Sequence, residues 1–590
     1  MKYDFFRKKT IKDILLEADT LDNESGTSLN KTLTVKDLTA FGLAGIIGAG
    51  IFATIGNASF NAGPSVTLLF IFIAVVCSFA ALCYAEFASL IPIAGSTYTY
   101  TYVAFGEITA WIAGWVLLLE YSVGNIAVTI SWSDYFTSFL EGLGIKIPEY
   151  LTMDVLSAMR GHKQVFDLLH SGKSLNDIPG YLVSAYAAWE KAPTLFGFHL
   201  IADIPALIII LIIGYLVYIG IKETKNVSNF MVVLKIVIIL GIVAVGFFYI
   251  TPANFHPFAP NGVGGMLKGI SAVFFAYIGF DSISTMAEEC ENPQRDLPLG
   301  IIYSIIICTV LYVLIAIILT GMVSYTELAI GDPLSFVFKK VGLNWVSGVV
   351  AFSAVVAMTS ALLVFVNGQP RIWMSMSRDG LFPKAFAKIH PKHRTPYIST
   401  IVAVASVFFP MLFMNLTEVT DLTTIGTLFA FVLVCGGVLV LQERRKYNKD
   451  EIKPGFEVFY INGKYTLPII FFGIIAFLSV YNHNFLSQIF SLSDPKNLNM
   501  PAWKVFFEKV PLYSFLILSL VMIVLTYLKN LSLIPVLGLI SCAYLMVDLG
   551  MENWIKFIIW MAFGLIVYFV YGYKSSILNK APIIKFIDNK

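Results

Sequence analysis

Apolar runs of about 20 residues recur along the whole chain, and this repetition constrains the fold more than any other feature. A helix that crosses the hydrocarbon core of a bilayer needs roughly 20 mostly apolar residues. Of the 590 residues, 57% are hydrophobic and only 13% are charged, whereas about a quarter of the residues of a soluble domain are charged. One buried core cannot hold this surplus, so the sequence predicts an all-α integral membrane protein.

Fourteen stretches are candidate membrane spans, and the eleventh, "TLPIIFFGIIAFLSVYN", is short. Their centres lie near residues 48, 78, 122, 212, 240, 277, 310, 358, 408, 432, 474, 519, 540 and 563. With the N-terminus inside, the cytoplasmic loops and tails hold most of the 40 lysine and arginine residues, as the positive-inside rule requires. An even number of spans then places both termini in the cytoplasm. The membrane itself, a bacterial inner membrane or a eukaryotic plasma membrane, is left open.

A polar stretch, residues 141–203, separates the third and fourth candidate spans. Its glycine and proline breaks predict two or three short helices. The alternation of spans puts this insert outside the cell. It carries no catalytic constellation, so we expect a cap or lid.

Composition and motifs argue against several classes of protein. A net charge of +2 with scattered basic residues argues against a nucleic-acid partner. The six cysteines form no CxxC pair or Cys/His cluster, so neither a metal site nor a disulfide framework is indicated. The sequence has no intramembrane HExxH, GxSxG or P-loop motif, which argues against a membrane enzyme and a self-contained ATP-driven pump. We expect no cofactor and no metal.

The first span contains "FGLAGIIGAGIF", in which Gly42, Gly45, Gly48 and Gly50 fall within nine residues. Small residues at such spacing let another helix pack closely. Alternatively, the helix is interrupted at "GAG" and its free backbone groups face a ligand. The cluster is denser than packing requires and lies mid-span, which favours the interruption.

The sixth span contains a second candidate interruption, because Gly279 and Asp281 lie well inside its apolar run. Unsatisfied backbone at that depth is tolerated only where it lines a cavity or is buried in protein. Interruptions in spans one and six are typical of an inverted repeat of five plus five helices, in which half-helix N-termini face an anionic group and unwound carbonyls face cations. A ligand with a carboxylate and an ammonium group, an α-amino acid, satisfies both. The candidate substrate-binding residues at the interruptions are Ile47, Gly48, Ala49, Gly50, Phe275, Ala276, Ile278 and Asp281.

Lys235 lies within the fifth span, in "MVVLKIVIIL", where a charged side chain is costly and marks a candidate functional site. Removal from water penalises the ammonium form relative to the neutral amine, so a buried Lys235 is a candidate proton carrier. Two alternatives stay open: a lysine that snorkels to the cytoplasmic interface, and a permanent structural cation.

Other polar side chains within the spans also have competing roles. Glu120 belongs to the proton path or to the polar network around the substrate, or it is a hydrogen-bonding anchor of helix packing. Asp281 either complements a cationic substrate or stabilises the break in span six. Phe275 gates or walls the pocket, or simply packs. Arg371 and Arg378 either pair with carboxylates to close an inward gate or follow the positive-inside bias.

Several long motifs occur in an order that resembles a known family. They include "GLAGIIGAGIF", "FFAYIGFDSISTMAEECENPQRDLPLGI", "NGQPRIWMSMSRDGLFPKAFAKIHPKHRTP", "IGTLFAFVLVCGGVLVL" and, in the last two spans, "PVLGLISCAYLMVDLGMENWIKFIIWMAFGLIVYFVYG". The chain is similar to the cationic amino acid transporter branch of the amino acid–polyamine–organocation family. It departs from the family pattern in the 141–203 insert and in a segment from about 455 to 528, which adds spans eleven and twelve.

The resemblance implies a LeuT-type fold with about 14 transmembrane helices. Lys235 matches the fifth-helix lysine that, in proton-linked relatives, occupies the place of a cation in sodium-driven members. The resemblance implies first-helix carbonyls near Gly45, and Thr359 or Ser360, as its partners. The implied organisation is a cytoplasmic tail (1–37), a first repeat (38–250, including the insert), a second repeat (266–442), accessory helices (443–574) and a second cytoplasmic tail (575–590).

These features favour a secondary transporter that moves cationic or small neutral L-amino acids by alternating access, coupled to protons. An exchanger without net ion coupling is the first alternative. A non-transporting sensor is less favoured, because the longest cytoplasmic connection has only about thirty residues. The expected partners are an L-amino acid, protons and the lipid bilayer, and a small membrane-protein or specific lipid partner is left open.

Overall fold

The computed structural model describes residues 7–11, 14, 33–93, 95–171, 174, 178, 180–220, 224–393, 395–447, 452–481, 485–492 and 501–580. Most of the predicted tail 1–37 and the last ten residues of the tail 575–590 lie outside the described residues.

Helices make up 79% of the described residues, which agrees with the predicted all-α class. The helices are α1 (Val35–Ile46), α2 (Ile55–Ala62), α3 (Val66–Leu90), α4 (Ser96–Ala104), α5 (Glu107–Gly142), α6 (Val155–His170), α7 (Gly180–Lys191), α8 (Ile204–Ile219), α9 (Thr224–Phe247), α10 (Gly262–Lys268), α11 (Ile270–Phe275), α12 (Pro293–Met322), α13 (Pro333–Lys340), α14 (Asn344–Arg378), α15 (Tyr397–Phe408), α16 (Leu416–Tyr447), α17 (Thr466–Tyr481), α18 (Phe485–Phe490), α19 (Ala502–Glu508), α20 (Val510–Lys529), α21 (Leu533–Val547), α22 (Gly550–Val567), α23 (Tyr573–Ser575) and α24 (Ile577–Lys580). Two strands, β1 (Thr194–Leu195) and β2 (Phe198–His199), pair antiparallel.

Nine helical segments of the described chain are long and apolar enough to cross a membrane, and four further apolar helices are shorter. The protein is therefore an integral, multi-pass membrane protein. One continuous apolar segment, Gly50–Leu90, runs through the predicted first and second spans. The fourteen spans and the five-plus-five repeat stay predictions.

Burial separates central helices from peripheral ones. The buried fraction of the most apolar part of a span is 94% for Ile270–Ala287 and 89% for Glu107–Gly142. The fraction falls to 28% in Asn229–Phe247 and to 22% in both Val510–Lys529 and Gly550–Ser575. The third and sixth spans therefore form the centre of the protein, and the late helices lie at its periphery.

The start of the first span is fixed by local hydrogen bonds. Thr34 and Asp37 form a capping box, in which the Asp37 carboxylate accepts from the Thr34 backbone N–H at 3.0 Å. Such a box satisfies N–H groups that have no partner within the helix. The backbone of Leu33 also pairs with Glu289 and Glu291 at the end of the sixth span, at 3.0 Å each. The first and sixth spans are thus joined at this end.

The predicted insert, residues 141–203, folds into the two helices α6 and α7 and the β1–β2 hairpin. Asp154 caps α6 by accepting from the Ser157 N–H at 2.8 Å. Ala158, Ala188 and Ile201 are buried in a small core of their own. The two helices agree with the prediction, whereas the hairpin was not predicted.

Candidate functional site

The first span is interrupted at Ile47 and Gly48. Helix α1 ends at Ile46, and a π-helical segment, Gly50–Thr54, resumes the path toward α2. The interruption lies where the glycine cluster predicts a break. Since the first N–H groups of a helix have no intrahelical partner, the helical segment that begins at Gly50 presents its N-terminal end at the interruption.

The sixth span is interrupted between Phe275 and Phe280. Helix α11 ends at Phe275, and a 3₁₀ helix, Phe280–Glu289, follows Gly279. Gly279 has φ of +119°, and a Cβ there would lie 2.9 Å from the carbonyl carbon of Gly45. Only glycine combines this backbone conformation with such a close approach, so the two breaks contact each other directly.

The Lys235 side chain reaches the first break. It is fully buried, and its Nζ donates to the carbonyl oxygens of Ala44 at 3.2 Å and Ile47 at 3.0 Å. It also donates to Ser360 Oγ of α14 at 3.2 Å. An ammonium group has three N–H donors, and all three have an acceptor. This geometry does not fit the snorkelling alternative, since the amine points into the protein.

The acceptors of Lys235 lie in the region that the resemblance implies, on first-helix carbonyls near Gly45 and on Ser360, one of the two alternative hydroxyls. The carbonyls of Ala44 and Ile47 accept instead of one at Gly45, because residues three apart lie on one face of a helix and Gly45 faces Gly279. Thr359 is engaged elsewhere, since its Oγ1 donates to the Val355 carbonyl at 2.7 Å and accepts from Trp132 Nε1 at 2.9 Å.

A narrow cavity lies beside the two breaks. It is lined by Gly45, Ile46, Gly48, Ala49, Gly50, Glu120, Gly124, Val128, Phe275, Ile278, Phe365 and Thr423. Among the candidate substrate-binding residues, Gly48, Ala49, Gly50, Phe275 and Ile278 line this cavity. The wall is largely apolar, and Glu120 is the charged residue in it.

The remaining three candidates lie just behind the wall. Ile47 offers its carbonyl to Lys235. The backbone of Ala276 packs on Gly50, where an added Cβ would be 2.2 Å from Ala276 Cα. Asp281 is buried in the first turn of the 3₁₀ helix. We therefore expect these residues to shape the cavity rather than to touch its contents.

Glu120 and Asp281 are both buried carboxyl groups. Glu120 Oε2 and Asp281 Oδ1 have no hydrogen-bond partner in the described part of the protein. Buried polar atoms are normally hydrogen-bonded. The Glu120 oxygen, in the cavity wall, is thus available to a ligand, a water molecule or a proton, and the Asp281 oxygen, behind the wall, to a water molecule or a proton.

Other residues around the breaks were not found from the sequence. Tyr312 Oη donates to the Ile46 carbonyl at 2.9 Å, and Tyr135 Oη donates to the Phe52 carbonyl at 2.6 Å. They satisfy carbonyls on either side of the interruption. No local pattern distinguishes them from other tyrosines in apolar runs.

The positions of Gly124 and Val128 in the cavity wall could have been predicted from their spacing to Glu120. They follow Glu120 by four and eight residues, so they lie on its face of α5. Phe365 and Thr423 had no such signal, since they come from α14 and α16.

Arg371 and Arg378, expected at an inward gate, differ in their contacts. Arg371 Nη2 forms an ion pair with Glu289 Oε1 at 2.8 Å, which joins α14 to the end of the sixth span. Arg378 ends α14 and has no ion-pair partner within the described ranges. Lys9 instead pairs with the neighbouring Asp379 at 2.6 Å.

The chain matches the family model described as amino acid permease over residues 33–500, and that of the C-terminus of such permeases over residues 531–576. It is 36% identical to the branched-chain amino acid permease BcaP of Bacillus subtilis (strain 168), over 98% of this chain and 100% of the relative. It is 34% identical to the methylthioribose transporter of the same strain, over 98% and 99% of the two chains. It is 29% identical to the vacuolar cationic amino acid transporter 4 of Arabidopsis thaliana, over 98% and 97%.

These proteins are permeases and transporters, not enzymes. The chain belongs to the amino acid permease family, in the cationic amino acid transporter branch of the amino acid–polyamine–organocation family.

Proposed function

We propose that the protein is a proton-coupled secondary transporter, which moves an L-amino acid across the membrane by alternating access. Membership of the permease family supports amino acid transport. The coupling to protons is our inference, and it rests on the surroundings of Lys235. We further propose that the termini lie in the cytoplasm and that the site opens alternately to the two sides of a bacterial inner membrane or a plasma membrane.

The contacts of Lys235 carry the proposal. Its amine bridges the broken first span and α14, with two backbone carbonyls and one hydroxyl as acceptors. Protonation of the amine strengthens all three hydrogen bonds, because those that involve a charged donor are roughly twice as strong as neutral ones. Loss of the proton loosens the first span from α14. The protonation state of one buried amine thereby biases the closure of the site.

The substrate lies in the cavity beside the breaks in this proposal. The N-terminal end of the helical segment at Gly50 favours its carboxylate. Carbonyl groups near the break in the sixth span accept hydrogen bonds from its ammonium group. Both contacts, to the carboxylate and to the ammonium group, involve backbone atoms of the protein, so they are the same for every α-amino acid.

Selectivity for the side chain comes from the cavity wall. Val128, Phe275, Ile278 and Phe365 offer apolar contact to a neutral side chain. A cationic side chain has one charged partner in this wall, Glu120. Competition between labelled leucine and unlabelled arginine, alanine or methylthioribose for uptake assigns the substrate class.

Uptake into proteoliposomes tests the coupling. With an empty lumen and an inward proton gradient, we expect accumulation of labelled amino acid above the external concentration. A sodium gradient without a proton gradient should drive none. Uptake that requires internal amino acid and ignores the proton gradient would show an exchanger instead.

The Lys235→Ala variant tests the role of Lys235 in proton coupling. We expect this variant to lose gradient-driven accumulation, while Lys268→Ala, which removes an exposed lysine near the sixth span, keeps it. Thermal unfolding of both variants in detergent checks that they fold. Accumulation by Lys235→Ala at the wild-type rate would contradict the proposed role.

A further inference from the structure

The hairpin at the end of the insert places an exposed aromatic side chain on a strained backbone. A two-residue turn, Phe196–Gly197, joins β1 to β2. Its residues have φ of +51° and +81°. Two-residue hairpin turns with positive φ at both positions favour Asn-Gly or Asp-Gly, and a bulky residue with positive φ is an outlier. Phe196 is nevertheless 93% exposed, so packing within the protein does not explain its presence.

The exposed surface of the hairpin is apolar beyond its tip. Leu195, Phe198 and Leu200 are all more than half exposed. Residues 193–202 include no aspartate, glutamate, lysine or arginine. A contiguous exposed apolar patch of this kind marks a contact with a partner or a membrane.

The base of the hairpin is packed against the insert, whereas its tip is exposed. The His199 ring stacks on Trp189 with ring centroids 4.1 Å apart. Ile201 is buried in the core of the insert, and the Ala202 N–H donates to the Tyr150 carbonyl at 3.1 Å. The tip is therefore held in place from a rigid base.

The hairpin runs directly into the apolar helix α8. Asp203, the next residue, caps α8: its Oδ1 accepts from the Ala206 N–H at 3.1 Å and from Ser133 Oγ of α5 at 2.5 Å. Helix α8 has 16 residues, and at 1.5 Å per residue it is about 24 Å long. The hydrocarbon core is about 30 Å thick. When α8 crosses the bilayer, its first residue, next to the hairpin, therefore lies near the boundary between acyl chains and headgroups.

The lipid-facing surface of α8 continues toward the hairpin. Ile204, Ile208 and Leu211 are exposed on the outside of the protein. Phe198 precedes Ile204 by six residues, a span of at most about 21 Å even when fully extended. The apolar patch of the hairpin is therefore close in the chain to an outward apolar surface of α8 that a surrounding bilayer would cover.

We propose that the tip of the hairpin, Phe196 with Leu195 and Phe198, inserts into the headgroup–acyl boundary of the adjoining leaflet and anchors the insert to the bilayer. The partner is the lipid bilayer, since the tip has no charged residue and phenylalanine and leucine are side chains that interfacial segments bury at the headgroup–acyl boundary. Contact with lipid gives Phe196 the burial that the protein does not provide. This inference does not depend on the substrate or on proton coupling.

A nitroxide label at Phe196→Cys tests the proposal, because all six native cysteines are buried. The full-length protein is labelled, placed in phosphatidylcholine vesicles and exposed to oxygen, which concentrates in lipid, and to a water-soluble nickel chelate. Phe166→Cys, an exposed phenylalanine on α6, is the matched control within the insert. Ile208→Cys is the lipid-facing reference on α8.

We expect the ratio of oxygen to nickel collisions at position 196 to exceed that at position 166 several-fold and to approach that at position 208. A ratio at 196 no higher than at 166 would overturn the proposal. So would spin–spin broadening at 196, since it would mean that a second copy of the chain covers the hairpin. If labelled Phe196→Cys does not fold, judged by thermal unfolding, Phe198→Cys gives the same test.

Discussion

A methyl group added at Gly50 should separate the two broken spans. Its Cβ would lie 2.2 Å from Ala276 Cα and 2.9 Å from Ala276 N. Carbon atoms pack at about 3.5–4.0 Å, so the first and sixth spans must move apart by about 1 Å or more. Such overpacking destabilises a protein by about 1–3 kcal/mol. A misplacement of about 1 Å can reduce activity on the order of 100-fold, and we expect a comparable loss of substrate affinity in Gly50→Ala.

Two other glycines of the same cavity provide graded controls. A Cβ at Gly48 would lie 3.0 Å from Ala361 Cβ, and one at Gly124 would lie 3.6 Å from Thr423 Cγ2, an ordinary contact. We therefore expect a moderate loss of affinity in Gly48→Ala and little change in Gly124→Ala.

Equilibrium binding of labelled amino acid to the purified proteins measures the series, and thermal unfolding in detergent monitors their stability. Wild-type affinity in Gly50→Ala would refute the placement of the substrate beside the two breaks. An equal loss of affinity in Gly124→Ala would show that the affinities do not follow the distances between the added Cβ and its nearest neighbour.

Three further changes test separate parts of the site. Glu120→Gln removes the charge from the cavity wall. We expect the affinity for arginine, measured by competition, to fall about 10- to 100-fold and that for leucine to stay unchanged, because a hydrogen bond to a charged group contributes about 1.5–3 kcal/mol. Equal losses of affinity for both amino acids would contradict this role. Arg371→Ala breaks the partly exposed ion pair with Glu289, which contributes at most about 1 kcal/mol. We expect the ratio of half-saturation concentrations on the two sides of the membrane to change, by up to about fivefold. An unchanged ratio would argue against a gate. Burial raises the pKa of Asp332, in the loop between α12 and α13, to about 6. Since an unfolded aspartate titrates near pH 3.9, the stability linked to this proton is present at low pH and is lost as the pH rises from about 4 to about 6. Thermal unfolding of Asp332→Asn should lack this loss, and an unchanged pH profile would show that Asp332 does not cause it.

The two breaks could be predicted from the sequence because glycine acts locally. The cluster from Gly42 to Gly50 weakens a helix at mid-span, and Gly279 beside Asp281 does the same in the sixth span. A lysine in an apolar run also stands out without any knowledge of its neighbours. These features identified the broken spans and Lys235.

The exact acceptors of Lys235 could not be predicted in the same way. They depend on the rotation of the first helix about its axis, and one residue corresponds to about 100°. The resemblance implied the carbonyl region near Gly45, but the carbonyls of Ala44 and Ile47 face the amine. Phe365 and Thr423 reach the cavity from distant helices, which no local pattern relates to Glu120.

The β1–β2 hairpin was missed for a different reason. Its strands have two residues each, too few to show the alternation of apolar and polar residues that indicates a strand. Its turn also has phenylalanine where asparagine or aspartate is usual. The unusual turn residue that concealed the hairpin is also the residue that points to its contact with lipid.

Simultaneous measurement of proton and amino acid fluxes tests the role of Lys235 most directly. Vesicles that contain a pH-sensitive dye and internal amino acid are given labelled external amino acid, so that exchange and proton movement are recorded together. We expect the wild type to acidify the lumen during net uptake, and Lys235→Ala to exchange amino acid without acidification. Acidification by Lys235→Ala in proportion to its uptake, as in the wild type, would show that the proton follows another path.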